Sequence, residues 1–150
     1  AEKVAEYLSK LKSKAYPNTL TGGDVLLTAD TVVIAGGEIL GKPKDKIDAE
    51  RMLRMLSGAT HKVVTGVTLR TTKRTVSFSA ESLVKFRTLD SEEISYYIEK
   101  YRPMDKAGAY GIQEWIGYVG IERIEGSFYN VMGLPVQRLY VELQRLIKNR

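Results

Sequence analysis

Apolar positions along this chain switch repeatedly between a helical and a strand rhythm, and the switches divide it into elements. Val4, Leu8, Leu11 and Ala15 recur at helical spacing, which predicts an amphipathic helix over 1–15 decorated by Lys10, Lys12 and Lys14. Pro17 ends it, and 18–24 is a polar loop carrying Gly22 and Gly23. Two short apolar runs, 25–27 and 32–34, predict two strands, and Gly36 with Gly37 predicts a hairpin tip before Ile39. Asp45 and Asp48 open a helix with Ala49, Met52, Leu53 and Leu56 as its apolar face and Gly58 as its terminator. Alternation over 60–69 and 75–86 predicts two long strands joined near 71–74. Asp90 and Glu93 form a capping box ahead of a helix whose face is Ile94, Tyr97, Ile98 and Tyr101, closed by Pro103.

The rest is less regular. Residues 104–115 (MDKAGAYGIQEW) have neither rhythm and read as a buried loop whose glycines and alanines permit close approach, with Lys106 and Gln113 as polar tips. A strand is predicted over 117–124, a capped turn over 127–135 ending in Gly133, Leu134 and Pro135, and a last helix on Leu139, Leu143, Leu146 and Ile147. Helices alternate with strands and no repeat or linker intervenes, so the class is α/β or α+β.

Within this pattern one residue is out of place. Asp30 lies between the two apolar runs, beside Thr28 and Thr31, where a carboxylate needs donors, a cation or a metal. Either it caps a turn between two short strands, or it is an acid–base or metal-binding carboxylate at a strand end, with Lys42 as cationic help. Gly36, Gly41 and Lys42 match the start of a phosphate-binding P-loop, but Pro43 stands where a hydroxyl should ligate magnesium, so that motif is rejected. Lys42 is left as a lysine on a loop stiffened by its neighbours.

Composition narrows the chemistry. A chain of 150 residues is sized for one domain, and its net charge of +5 is a mild pull towards polyanions. It has no cysteine, which excludes disulfides and thiolate metal sites and fits a cytosolic protein. No apolar run reaches the ~18–20 residues of a membrane span. His61 is the only histidine, read as a surface or satisfied side chain, and no triad or preformed zinc or calcium cage is present. An intrusive aspartate, nearby lysines and a glycine-rich loop suit phosphate-ester hydrolysis, and suit a passive nucleotide site equally well.

The segments LLTADTVV, ILGKPKD, AERMLRMLSGATHKVVTGV, DKAGAYGIQ and IEGSFYNVMGLP resemble, in order, the Maf family of nucleoside triphosphate pyrophosphatases, over nearly the whole chain. The resemblance implies a mixed sheet with flanking helices, forming two lobes around a nucleotide-binding cleft, often in a homodimer. It implies cleavage between the α and β phosphates with a divalent cation, Mg²⁺ or Mn²⁺. DKAGAYGIQ resembles the branch that prefers dTTP and UTP. By position, Asp30 matches the family's general base and metal-side carboxylate, Lys42 a phosphate-side lysine, and Thr31 and Gln113 the base-selecting positions. Lys12 matches a second phosphate-side lysine. Ser13 replaces the alanine usual after it, and Lys14 with Ala15 restores that dipeptide at another spacing. The expected partner is a nucleoside triphosphate in the cytoplasm, with no membrane and no nucleic acid.

One departure qualifies the resemblance. The family's first strand, its Ser-x-Ser-x-Arg-Arg loop and its acidic metal-binding segment have no counterpart here, so residues 1–150 are expected to be a single Maf-like domain without its N-terminal phosphate loop. Such a chain is expected to bind dTTP weakly and to hydrolyse it slowly or not at all. The alternative class is a non-catalytic nucleotide- or nucleic-acid-binding remnant.

Overall fold

The computed structural model describes residues 1–148. Its framework is a five-stranded sheet in the order β2-β1-β3-β4-β5, made of β1 Leu26–Ala35, β2 Glu38–Leu40, β3 Thr60–Arg70, β4 Thr75–Phe86 and β5 Ile121–Glu125. The helices are α1 Val4–Ala15, α2 Lys46–Leu56, α3 Ser91–Tyr101, α4 Trp115–Gly120, α5 Phe128–Met132 and α6 Val136–Lys148. All four pairings are antiparallel, which is the α+β side of the expected class; the mixed sheet implied by resemblance has no parallel pair among the described residues. Gly36 and Gly37, with φ of 56° and 79°, form the two-residue tip that joins β1 to β2, as a tight antiparallel hairpin requires.

The two short strands expected around Asp30 are one. β1 runs unbroken through it, with Asp30 opposite Gly66 and Thr31 opposite Thr65, so Asp30 caps no turn. Side chains alternate across a strand, so these two neighbours project to opposite faces of the sheet.

One face is covered by α1. Only the first half of the apolar stripe docks there: Val4 and Leu8 pack, partly buried, against Ala5, Val32 and Val64, while Leu11 is 42% exposed and the buried positions of the helix are Ala5, Ser9 and Ser13. The cause is distance. A Cβ on Gly66 would fall 2.3 Å from the backbone of Ala5 and Glu6, so helix and strand touch backbone to backbone and only small residues fit between them. Hydroxyls then satisfy the polar atoms: Ser9 Oγ shares a hydrogen bond of 2.7 Å with Thr68 Oγ1, and Thr28 Oγ1 donates to the Ser9 carbonyl at 2.7 Å. Arg70 extends the seam by donating to Ser13 Oγ at 3.0 Å and to its carbonyl at 2.9 Å.

The other face carries the main apolar core. Val33, Val63, Val84 and Phe86 of the sheet pack against Met52, Leu53 and Leu56 of α2 and Ile94, Tyr97 and Ile98 of α3. Both helices start as the sequence predicts: Asp45 accepts from the Asp48 N–H, and Asp90 with Glu93 forms a reciprocal capping box. Glu93 also pairs with Arg87 at 2.6 Å, and that guanidinium, with help from the Asp90 N–H, holds its carboxyl at about 2. A second cluster, Val67, Leu69 and Phe78, is covered by Leu139 and Leu146 of α6.

The strand expected over 117–124 is half helix. Residues 115–120 form α4, and β5 begins only at Ile121. Gly117 lies so close under Ile112 that a Cβ there would be 1.8 Å from its carbonyl oxygen, and the chain turns on that contact rather than extending. Trp115, at the start of α4, meets Tyr96 edge-on with ring centroids 4.9 Å apart. His61 is buried, not at the surface. It stacks on Phe86 and shares a 2.6 Å hydrogen bond from Nε2 with Tyr110 Oη, while Nδ1 has no partner among the described residues. Burial pushes its pKa down from 6.5 to about 4. No helix among the described residues is long and apolar enough to cross a membrane.

Candidate active site

β2 pairs only with residues 33–35 of β1, so the rest of that strand borders open space at the sheet edge. A cleft of about 580 Å³ lies there, within the size range of small-molecule sites. Its lining includes Asp30 and Thr31 from β1, Gly41 and Lys42 from the loop after β2, Lys106, Gly111 and Gln113 from the irregular loop, and Gly133 after α5. Val4 and Leu8 of α1 line it as well.

Asp30 is tethered from α1. Lys12 Nζ donates to Asp30 Oδ1 at 3.0 Å and to the Ala29 carbonyl at 3.1 Å, with the carboxylate side chain 25% exposed. Lys14 instead borders a separate surface depression with Lys10 and Arg70, and is the lysine that does not meet Asp30. Lys42 reaches the cleft from the loop expected for it and forms no ion pair among the described residues.

The irregular loop behaves as a buried loop with polar tips. It makes two short 3-10 turns, Pro103–Asp105 and Ala107–Ala109, then leads into α4. Gly108, at φ 70°, donates its N–H to the Gly41 carbonyl at 3.1 Å, and a Cβ there would be 2.9 Å from Val33 Cγ2. That contact ties the Gln113 loop to the Lys42 loop across the end of β1. Gln113 is exposed in the cleft, whereas its neighbours Gly111 and Ile112 are buried. Thr31 is more constrained: its hydroxyl shares a 2.9 Å hydrogen bond with Thr65 Oγ1 and approaches the Gly133 carbonyl at 3.4 Å.

In the sequence Lys106 is only a polar tip of the irregular loop, and Asn130 and Glu114 carry no signal strong enough to single them out. Lys106 pairs with Asp105 at 3.1 Å, and its ammonium, with a weaker pull from Lys42, holds the Asp105 carboxyl below the ordinary range. Asn130 is fully buried and donates to the Val63 and Ala80 carbonyls and to Ser82 Oγ, which pins α5 and Gly133 against β3 and β4. Its only trace in the sequence is its place three residues after the capping Ser127. Glu114 accepts from Tyr97 Oη, and nothing in its spacing from Tyr97 announces the contact.

Together these features define an α+β protein with an aspartate–lysine pair and a second cation around a cleft at the sheet edge. The chain belongs to the Maf family: the family described as Maf-like protein matches residues 1–146. It is similar to the dTTP/UTP pyrophosphatase of Porphyromonas gingivalis, 59% identical over 145 residues that cover 95% of this chain and 73% of that protein. It is similar also to the dTTP/UTP pyrophosphatases of Bacteroides thetaiotaomicron, 55% identical over 95% of this chain and 74% of that protein, and Phocaeicola vulgatus, 53% identical over 97% and 76%.

Proposed function

We propose that this protein hydrolyses dTTP and UTP to the monophosphate and pyrophosphate. The observation that carries the reading is the Lys12–Asp30 pair at 3.0 Å, set in one cleft with Lys42 and Gln113. On this reading Asp30 accepts the proton of the water that adds across the α–β phosphoanhydride bond, and Lys12 holds the carboxylate in place. Lys12 and Lys42 offset charge gathering on the phosphate oxygens. Gln113 reads the base: thymine and uracil offer an N3–H beside carbonyl acceptors, and a glutamine amide carries the matching acceptor and donor. Thr31, tied to Thr65, supports that edge of the cleft.

Among the described residues no three His, Asp or Glu side chains gather to hold a metal on their own. Asp30 at the cleft still fits Mg²⁺ or Mn²⁺, since Mg²⁺ is commonly held by one or two carboxylates together with substrate phosphates. Asp30 would be its protein ligand, and a bound cation would supply charge neutralisation on the triphosphate. The protein works in the cytoplasm on this reading, where free nucleotides are held.

The test is product analysis with dTTP, UTP and CTP in the presence of Mg²⁺ or Mn²⁺. Pyrophosphate and monophosphate from the first two, well ahead of CTP, are expected. Release of orthophosphate, or nucleotide binding with no turnover by the full-length protein, rejects the reading in favour of another hydrolase or a binding remnant.

A further inference from the structure

Lys106, Gly111 and Glu114 converge on one point at the cleft wall, and a core tyrosine holds that point from behind. Tyr97, fully buried on α3, donates its hydroxyl to Glu114 Oε1 at 2.5 Å and accepts the Gly111 N–H at 3.0 Å. Burial and the adjacent Glu114 carboxylate push the Tyr97 pKa up, so the hydroxyl keeps its proton and stays a donor. The other oxygen of Glu114 faces Lys106 Nζ at 3.9 Å, and both side chains are mostly buried, at 22% and 24% exposure. Lys106 lies across Gly111 so tightly that a Cβ there would be 2.8 Å from Lys106 Cε and 3.0 Å from Glu114 Oε1. Gln113 stands inside this knot, between Gly111 and Glu114, and the turn is closed by the Glu114 N–H donating to the Gly111 carbonyl at 3.0 Å.

We propose that Glu114, clamped by Tyr97, is a positioning residue for Lys106, that Lys106 is a further cation for the triphosphate, and that the same Tyr97 clamp fixes the turn presenting Gln113. The inference rests on Gln113 reading the base. Tyr97 fixes the turn that presents Gln113. Glu114 carries the same restraint to Lys106, which lines the cleft. The remaining partner of that ammonium, Asp105, is 74% exposed, and an ion pair to so exposed a carboxylate is weak and readily exchanged for a phosphate oxygen. A pyrimidine that seats against Gln113 therefore meets a phosphate-side lysine already held by the very next residue, Glu114, in the same turn.

Three single variants and one double separate the halves. Glu114→Gln keeps an oxygen for the Tyr97 hydroxyl but removes the charge that faces Lys106. It is expected to raise KM for dTTP and CTP together, by about fivefold, with the ratio of their kcat/KM values unchanged. Lys106→Met should do the same, and adding Glu114→Gln to it should cost nothing more. Tyr97→Phe frees the turn and should lower the dTTP-to-CTP ratio about tenfold. Thermal melts accompany each assay. Equal losses for all substrates that track a falling Tm in every variant would make the network structural only and overturn the proposal. Gln113→Ala is the control. If it leaves the ratio unchanged, the base reading fails; if it collapses the ratio while Tyr97→Phe does not, the base reading stands and this inference alone fails.

Discussion

The two faces of β1 are built by opposite means. Asp30 projects under α1, where helix and sheet meet through glycine, alanine and hydroxyls, and where polar atoms are satisfied one bond at a time. Thr31 projects to the other face, where the loop that carries Gln113 is locked into a large apolar core through Gly108 on Val33 and Tyr97 on Gly111. The proposed proton acceptor thus rests on a close-fitting polar seam with one exposed lysine, and the proposed base reader on bulk packing. Damage to the first should appear in turnover, and damage to the second in selectivity and stability.

The strongest way to break that contrast is at Asp30 itself. Asp30→Asn keeps the shape of the seam and should lose ~10²–10⁴-fold in turnover, with dTTP still bound, because general-base help is of that size. Stopped assays with a binding measurement decide it; near-normal pyrophosphate release removes Asp30 from the role.

On the core face, His61 gives a pH test. The unfolded chain protonates this ring near 6.5 and the folded chain only near 4, so the unfolded state binds more protons between those values. Stability is full above 6.5 and falls as pH drops through the window, by about 3 kcal/mol in all. Urea midpoints at pH 7 and pH 4.5 should show this difference shrinking in His61→Gln. An unchanged difference would assign the acid sensitivity to other groups.

The seam can be opened without touching a charged group. Gly66→Ala forces a methyl into the 2.3 Å gap below Ala5 and Glu6 and should destabilise the protein by ~1–3 kcal/mol. It should also lower turnover, because α1 carries Lys12 to Asp30. Urea melts and kcat are the two readouts, and a loss of stability with intact kcat would uncouple the seam from the chemistry. The smallest expected effect compares two lysines. Lys12→Ala should lower kcat about tenfold, whereas Lys14→Ala, away from the cleft, should leave it alone.

How much of this could be read in advance depended on what each signal encoded. The helices α2 and α3 were legible because a cap and an apolar stripe are local facts, and Asp45, Asp90 and Glu93 do what their spacing says. The docking face of α1 was not, since hydrophobic periodicity assumes that apolar residues seek the core. Here the separation between helix and strand is set by Gly66, sixty residues away, and it selects Ala5, Ser9 and Ser13. The α4 turn was misread because Tyr118, Val119, Ile121 and Ile124 favour a strand, whereas the close seating of Gly117 under Ile112 follows no repeating pattern. In the site, Asp30 stood out as a carboxylate among apolar residues. Its lysine did not stand out by pattern, since Lys10, Lys12 and Lys14 all decorate the helix; the resemblance pointed to Lys12, and the crossing of α1 over β1 is what brings Lys12 rather than Lys14 to Asp30. The Tyr97–Glu114 contact joins two elements seventeen positions apart by no repeating pattern and had no trace in the sequence.

Trp115 follows directly after Glu114, rests edge-on against Tyr96, and is the only tryptophan in the chain. Its indole therefore reports optically on the turn that bears Gln113, with no other emitter of its kind to mask the signal. Filling the pyrimidine end of the cleft should change the intensity or wavelength of its emission, whereas inorganic pyrophosphate alone should change it little. The protein carries an intrinsic fluorophore two residues from Gln113, and titrating dTMP against dCMP would follow base discrimination in real time without turnover.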